Sequence, residues 1–228
     1  MFPISDSVKS RSFPLLNLFM IGLNIYVFMQ QLAAPDLDAF ILQFAFIPGR
    51  VSIMDPTTLL PFITSMFLHG SFFHLASNML FLWVFGDNIE GYYGKVRYLI
   101  IFLVSGMVGS LLQFALNPGS TIPMLGASGA ISGILGAYYI SHPHSKVKTL
   151  LPIFLFLTVV EIPAVIYLFY WFAIQVFSGL WGLGGIQNEA GGVAFFAHIG
   201  GFVTGIILAK VFGNRDKNGV IDAEIVSD

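Results

Sequence analysis

The chain has 228 residues, of which 56% are hydrophobic and only 10% are charged, with ten basic and twelve acidic side chains. A soluble domain needs about a quarter of its residues charged to cover its surface, so most of this exterior must face lipid. The net charge of −2 gives no support for a nucleic-acid partner. Because the sequence contains no cysteine, disulfides, thiol catalysis and cysteine-based metal sites are excluded.

Hydropathy along the chain predicts a polytopic membrane protein. Apolar stretches long enough for a helix to cross a bilayer, about 17–25 residues, occur six times. The predicted spans are residues 13–32, 70–87, 96–116, 126–141, 163–182 and 191–212. Pro163 suits the first turn of the fifth helix, and the apolar stretch 150–160 before it is expected to lie at the membrane interface. The predicted fold class is all-α, a six-helix membrane bundle.

The basic residues predict how this bundle is oriented. With the N-terminus in the cytoplasm, nine of the ten basic residues fall on the cytoplasmic side, and Arg50 alone falls outside. We therefore expect a cytosolic segment 1–12, a membrane domain 13–212 and a cytosolic tail 213–228. The compact chain, with no recognisable organelle-targeting segment, predicts the plasma membrane of a bacterium or archaeon.

Polar residues inside membrane helices are costly and usually have a role. In the second span His74 and Asn78 are four residues apart and project from one helix face. The fourth span opens with Gly-Ala-Ser-Gly around Ser128, and the sixth contains Ala-His-Ile-Gly-Gly around His198. At 1.5 Å per residue, these groups lie on the order of 10 Å below the outer surface of the membrane. Polar groups from three helices are therefore expected to meet at one depth.

These three patterns, HxxxN, GxSG and AHxxG, resemble the core motifs of the rhomboid family of intramembrane proteases, in that family's order. The resemblance covers residues 13–212 and implies hydrolysis of peptide bonds in or near transmembrane segments by a Ser–His dyad. It implies Ser128 as nucleophile and His198 as general base, with the Ser128 backbone N–H, His74 and Asn78 stabilising the oxyanion. No metal or organic cofactor is implied. The expected partners are single-span membrane-protein substrates and the lipid bilayer, and the oligomeric state is left open.

Small residues favour packing of the fourth span against the sixth, because they let membrane helices approach closely. They recur at a spacing of four in both spans: Gly129, Gly133 and Ala137, and Ala197, Gly201 and Gly205. Packing along these faces is expected to bring Ser128 and His198 within hydrogen-bond reach.

The sequence departs from the family pattern in two features, one of which is that the first loop has no Trp-Arg pair such as some members carry. Many rhomboids carry a tyrosine four residues after the nucleophile, against which the catalytic histidine stacks, and here that residue is Ser132. Some other contact must therefore fix the His198 ring, and the Ser132 hydroxyl is one candidate. His69 is predicted to brace the first external loop. The sequence leaves Gln175 open between a packing role and contact with substrate.

Three other functions fit parts of the sequence. A catalytically silent rhomboid-like protein that binds membrane clients is disfavoured because Ser128 and His198 are both retained. A transporter or channel needs polar groups along a continuous path, whereas these cluster at one depth. A membrane metalloprotease is the weakest alternative, since the sequence lacks HExxH.

Overall fold

A computed structural model describes residues 1–10, 12–52, 54–153, 156–183 and 193–213. Residues 191–192, at the start of the predicted sixth span, and residues 214–228, nearly all of the predicted tail, lie outside the described residues. The helices are α1 Leu15–Ala33, α2 Leu37–Phe44, α3 Pro61–Thr64, α4 Phe72–Phe81, α5 Asp87–Tyr93, α6 Lys95–Leu116, α7 Ser128–Ser141, α8 Ala164–Leu183 and α9 Phe195–Phe212. A π-helical turn, Leu82–Gly86, joins α4 to α5. The predicted class, a helical polytopic membrane protein, is confirmed.

The number of spans is less simple than six uniform helices. Among the described residues, α1, α6, α8 and α9 are long and apolar enough to cross a bilayer, and the bent pair Pro56–Phe67 and Phe72–Tyr93 makes a possible fifth crossing. The predicted fourth span is α7, which has 14 residues and is therefore about 21 Å long. That is shorter than a hydrocarbon core of about 30 Å, so the count of six stays a prediction.

A three-stranded antiparallel sheet is present that the sequence did not predict. Its strands are β1 Phe2–Asp6, β2 Lys146–Ile153 and β3 Phe156–Pro163, in the order β1-β2-β3. The stretch 150–160, expected to be a single interfacial segment, instead belongs to two paired strands, with Leu150 opposite Val159. Along β2, Val147 and Thr149 are buried whereas Lys146 and Lys148 are exposed, the alternation of a sheet with one covered face.

Asp6 fastens this sheet to the helices. Its carboxylate accepts hydrogen bonds from the Tyr138 hydroxyl on α7 and from Asn88 Nδ2 on α5, the latter at 2.8 Å. Burial raises the pKa of the Asp6 carboxyl above its usual value, and the hydrogen bond from Tyr138 acts in the opposite direction. The first strand is therefore held by side chains as well as by its ladder.

Helices α7 and α9 form the centre of the bundle, and every residue from Gly129 to Tyr138 is buried. Their backbones touch at glycine: a Cβ added at Gly201 would overlap the Gly129 carbonyl, and one at Gly205 would overlap the Gly133 carbonyl. The predicted close approach of these two helices is confirmed. It carries Ser128, the first residue of α7, to the first turns of α9.

Both ends of α1 are fastened to the rest of the bundle. At its start, the Glu90 carboxylate accepts the backbone N–H groups of Leu16 and Asn17 at 3.1 and 2.7 Å. At its far end, the Gln31 amide donates to the His69 carbonyl at 2.7 Å and accepts the His69 N–H at 3.2 Å. The second of these ends is the one where α4, α7 and α9 begin, and the polar side chains predicted from the sequence lie there.

Candidate active site

Ser128 and His198 are in direct contact. Ser128 Oγ lies 2.7 Å from His198 Nε2, although 70 residues separate them along the chain. His198 is only 9% exposed, and Ser128 is half-buried. At this distance an imidazole nitrogen can take the proton of a serine hydroxyl.

The turn into α7 depends on Gly126. Its φ of +130° is a conformation that side chains with a Cβ rarely adopt, and a Cβ there would also lie 2.7 Å from His74 Cε1. The Gly126 N–H donates to the Ser65 carbonyl at 2.9 Å, which holds the loop in place. No side chain of the described chain caps the amino end of α7, so its first backbone N–H groups remain available to an anion beside Ser128.

His74 and Asn78 face the same space from α4. The Ser71 side chain accepts the His74 backbone N–H at 3.1 Å, which caps α4 and starts it at Phe72. One helical turn then separates His74 from Asn78. Both line a cavity of about 610 Å³ together with Ser128 and His198. All four residues predicted from the sequence therefore border one cavity.

The ring of His69 contacts the side chain of Asn78. Its ring is fully buried, and its Nε2 lies 3.0 Å from Asn78 Nδ2, so the amide donates to the ring nitrogen. Gln31 from α1 holds the His69 backbone on both sides. The His69 ring therefore holds the Asn78 amide, and its predicted role in bracing the first loop stays a prediction.

Ser132, one candidate for the contact that fixes His198, does not bond its ring in the structure. Ser132 Oγ donates to the Ser128 carbonyl at 2.6 Å, one turn back in α7, which satisfies its hydroxyl within its own helix. The contacts to the His198 ring come from α8 instead: Gln175 Oε1 lies 2.8 Å from His198 Nδ1, and the Trp171 ring centroid lies 6.0 Å from that of the imidazole. The sequence feature that could have predicted this contact is Gln175, a polar side chain in the largely apolar helix α8.

A family model described as the Rhomboid domain matches residues 56–215, well over half of the chain. The chain belongs to the rhomboid family. The resemblance carried by the three short motifs is confirmed.

Several curated rhomboids are similar to this chain. Rhomboid protein 1, mitochondrial, of Saccharomyces cerevisiae is 29% identical over 198 residues, which cover 82% of this chain and 50% of that protein. Rhomboid protease GluP of Bacillus subtilis is 45% identical over 75 residues, covering 33% of this chain and 14% of that protein. RHOMBOID-like protein 4 of Arabidopsis thaliana is 36% identical over 155 residues, covering 68% of this chain and 34% of that protein. This rhomboid chain spans half or less of the length of these relatives.

Proposed function

We propose that this rhomboid is a serine endopeptidase that hydrolyses peptide bonds in or near the transmembrane segments of other membrane proteins. The observation that supports it is the 2.7 Å contact between Ser128 Oγ and His198 Nε2, inside a cavity that His74 and Asn78 also line. A nucleophile, a base and oxyanion donors are the groups that acyl transfer needs.

The reaction follows from these positions. His198 Nε2 takes the proton as Ser128 Oγ attacks the scissile carbonyl carbon, and the resulting oxyanion accepts hydrogen bonds from the Ser128 N–H, His74 and Asn78. His198 then gives its proton to the leaving amine nitrogen, the C–N bond breaks, and an acyl-Ser128 ester remains. A water molecule deprotonated by His198 attacks this ester and releases the second product and free Ser128.

The cavity suits a reaction that consumes water within a membrane protein. Besides the four residues above, the hydroxyl-bearing residues Ser71 and Ser77 line it. Irregular backbone at membrane depth is tolerated where it borders a water-filled space, and the turn at Gly126 is such a segment. The cavity therefore offers water several polar groups within a lining that is otherwise largely apolar.

We further propose that the substrates are single-span membrane proteins cut near the outer end of their helix, and that the termini are cytoplasmic in a plasma membrane. Of the basic residues within the described ranges, six lie at the end of the bundle opposite the cavity: Lys9, Lys95, Arg97, Lys146, Lys148 and Lys210. Arg50 is the exception. Basic residues favour the cytoplasmic side, which puts the cavity toward the outer leaflet.

Cleavage of a single-span model substrate by purified protein tests this proposal. Wild type is expected to cut it, whereas Ser128→Ala and His198→Ala fall to background with their folds intact. Ser77→Ala is the matched control, because this serine lines the same cavity but its hydroxyl donates to the His74 carbonyl at 3.0 Å. It should retain activity.

Labelling with a fluorophosphonate separates a poor substrate from an inactive protein. Reaction at Ser128 that is lost in His198→Ala supports the nucleophile and base even without a cleaved substrate. Folded wild type that neither cleaves nor labels contradicts the proposal and favours the client-binding alternative.

A further inference from the structure

Helix α8 brings two side chains against the His198 ring. Gln175 and Trp171 are four residues apart and so lie on the same face of the helix. Gln175 is 8% exposed, and its Oε1 lies 2.8 Å from His198 Nδ1. The Trp171 ring lies beside the imidazole with a 33° angle between the ring planes. The nitrogen of His198 that does not face Ser128 is therefore occupied from α8.

The hydrogen bonds of Gln175 decide which end of its amide faces the imidazole. Its Nε2 donates to the Trp171 carbonyl at 3.3 Å, one turn back in the same helix. This leaves Oε1 toward His198. A carbonyl oxygen only accepts hydrogen bonds, so His198 Nδ1 must carry the proton.

That assignment fixes the state of the opposite ring nitrogen. In a neutral imidazole with a proton on Nδ1, Nε2 has a free lone pair. This lone pair is directed at Ser128 Oγ, 2.7 Å away. The other tautomer would place an N–H against the serine hydroxyl, and its only ring lone pair, on Nδ1, would then point away from Ser128.

We infer that Gln175 is a positioning residue that holds His198 as its Nδ1–H tautomer, the form able to act as base toward Ser128. The inference rests on the proposed peptidase function and adds a third member, from α8, to the Ser–His pair. It acts without charge. Among the described residues no carboxylate hydrogen-bonds His198, and the titratable side chain that faces it across the cavity is His74 of α4.

The tautomer can be measured without any substrate. In detergent-solubilised protein labelled with ¹⁵N-histidine, the two ring nitrogens of His198 give distinct shifts, assigned by comparison with His198→Ala. Wild type is expected to show a protonated Nδ1 and an unprotonated Nε2, and Gln175→Leu is expected to lose this preference. A wild-type Nε2–H tautomer, or an unchanged Nδ1–H form in Gln175→Leu, overturns the inference whether or not the protein cleaves a substrate.

Kinetics give the second readout. Gln175→Leu should lower kcat by about 10²-fold or more, because removing the group that fixes a catalytic histidine's tautomer costs up to about 10⁴-fold in serine proteases. KM should change little, since Gln175 does not line the cavity. Ile174→Ala, at a 41% exposed neighbouring position on α8, is the control and should keep the wild-type kcat.

Gln175→Glu distinguishes positioning from packing. A glutamate keeps an acceptor oxygen opposite Nδ1, so it should restore activity relative to Gln175→Leu. Its charge favours the protonated imidazole, which should move the acid limb of the kcat/KM profile about one unit or more to higher pH. A Gln175→Leu variant with wild-type kcat, or a Gln175→Glu variant as impaired as Gln175→Leu, counts against the inference, provided that wild type cleaves. An inactive wild type speaks against the peptidase function instead.

Discussion

The side-chain amide of Asn78 is held in place at the edge of the cavity. Its Nδ2 is held by His69 Nε2 at 3.0 Å, and its second Nδ2 hydrogen makes no hydrogen bond to any residue that the structure describes. That hydrogen is available at a cavity that Asn78 shares with Ser128. A donor fixed in place before charge develops stabilises an oxyanion without having to reorganise.

Asn78→Ala is therefore expected to lower kcat by about 10²-fold, the usual effect of removing one oxyanion donor. KM should stay within about twofold of wild type, because the interaction forms mainly in the transition state. Steady-state cleavage of the model substrate measures both values, with Ser77→Ala as the neighbouring control. A kcat within threefold of wild type would show that Asn78 does not donate to the oxyanion.

At this scale the sequence predicted four polar residues that the structure brings to one cavity, but not all of their partners. Ser128, His198, His74 and Asn78 stand out because polar groups are rare in apolar spans. The roles of Ser132 and Gln175 depend on which way each side chain points. Ser132 can satisfy its hydroxyl inside α7, and Gln175 reaches His198 only because α8 packs beside α9, which spacing along the chain does not reveal.

At the scale of helices, the contact of α7 with α9 sets the distance between Ser128 and His198. Gly201 lies against the Gly129 carbonyl, and the obstruction there is backbone rather than a side chain that can rotate away. Small residues matter here because packing, rather than hydrophobic burial, holds membrane helices together.

Gly201→Ala is expected to force the two helices apart, with a loss of about 1–3 kcal/mol in the free energy of unfolding, as for other overpacked cores. Cleavage should fall with it, because Ser128 and His198 separate. Thermal unfolding in detergent measures the first effect. Gly22→Ala is the control, since an added Cβ at Gly22 meets nothing within 4 Å and alanine is the better helix former. Equal stability of the two variants would argue against the glycine contact.

Long elements were predictable and the sheet was not. The starts of α6 and α8 lie within one residue of the predicted spans, because apolar length and Pro163 mark them. The strands β2 and β3 read only as a long apolar run, which fits an interfacial segment equally well. Strand β1 pairs with β2, about 140–150 residues away along the chain, and no local pattern in the sequence predicts such a pairing.

On the scale of the whole molecule, α1 lies outside the matched Rhomboid domain range, 56–215, yet it reaches the site. Gln31 holds the His69 backbone, and His69 in turn holds the Asn78 amide. A contiguous set of hydrogen bonds thus runs from the first helix to a proposed oxyanion donor.

Gln31→Leu is expected to lower kcat by about tenfold, whereas Gln30→Leu, at the exposed neighbouring position, should not. If Gln31 acts through Asn78, the double variant Gln31→Leu with Asn78→Ala should be no slower than Asn78→Ala alone, since residues of one network are not additive. Fully additive losses would show that α1 affects catalysis by another route.

At this scale the sequence and the structure also differ in the number of membrane crossings: hydropathy predicts six, whereas the described residues contain four or five candidates. Hydropathy treats α7 as a full span, whereas ten of its 14 residues are buried by the surrounding helices. Such a helix meets protein rather than lipid, so its length is set by its neighbours and not by bilayer thickness. Apolar composition alone does not distinguish these two surroundings.

The 70 residues between Ser128 and His198 also set an order in time. A ribosome that adds about 5–20 residues per second reaches His198 roughly 4–14 s after Ser128. Gln175 is synthesised between Ser128 and His198, so the residue that we infer to position His198 is made before His198 itself. Until His198 has been synthesised, the imidazole that we propose as the base for Ser128 does not exist in the nascent chain. Under the proposed mechanism, the nascent chain therefore cannot hydrolyse a peptide bond until the part of α9 that carries His198 has been synthesised.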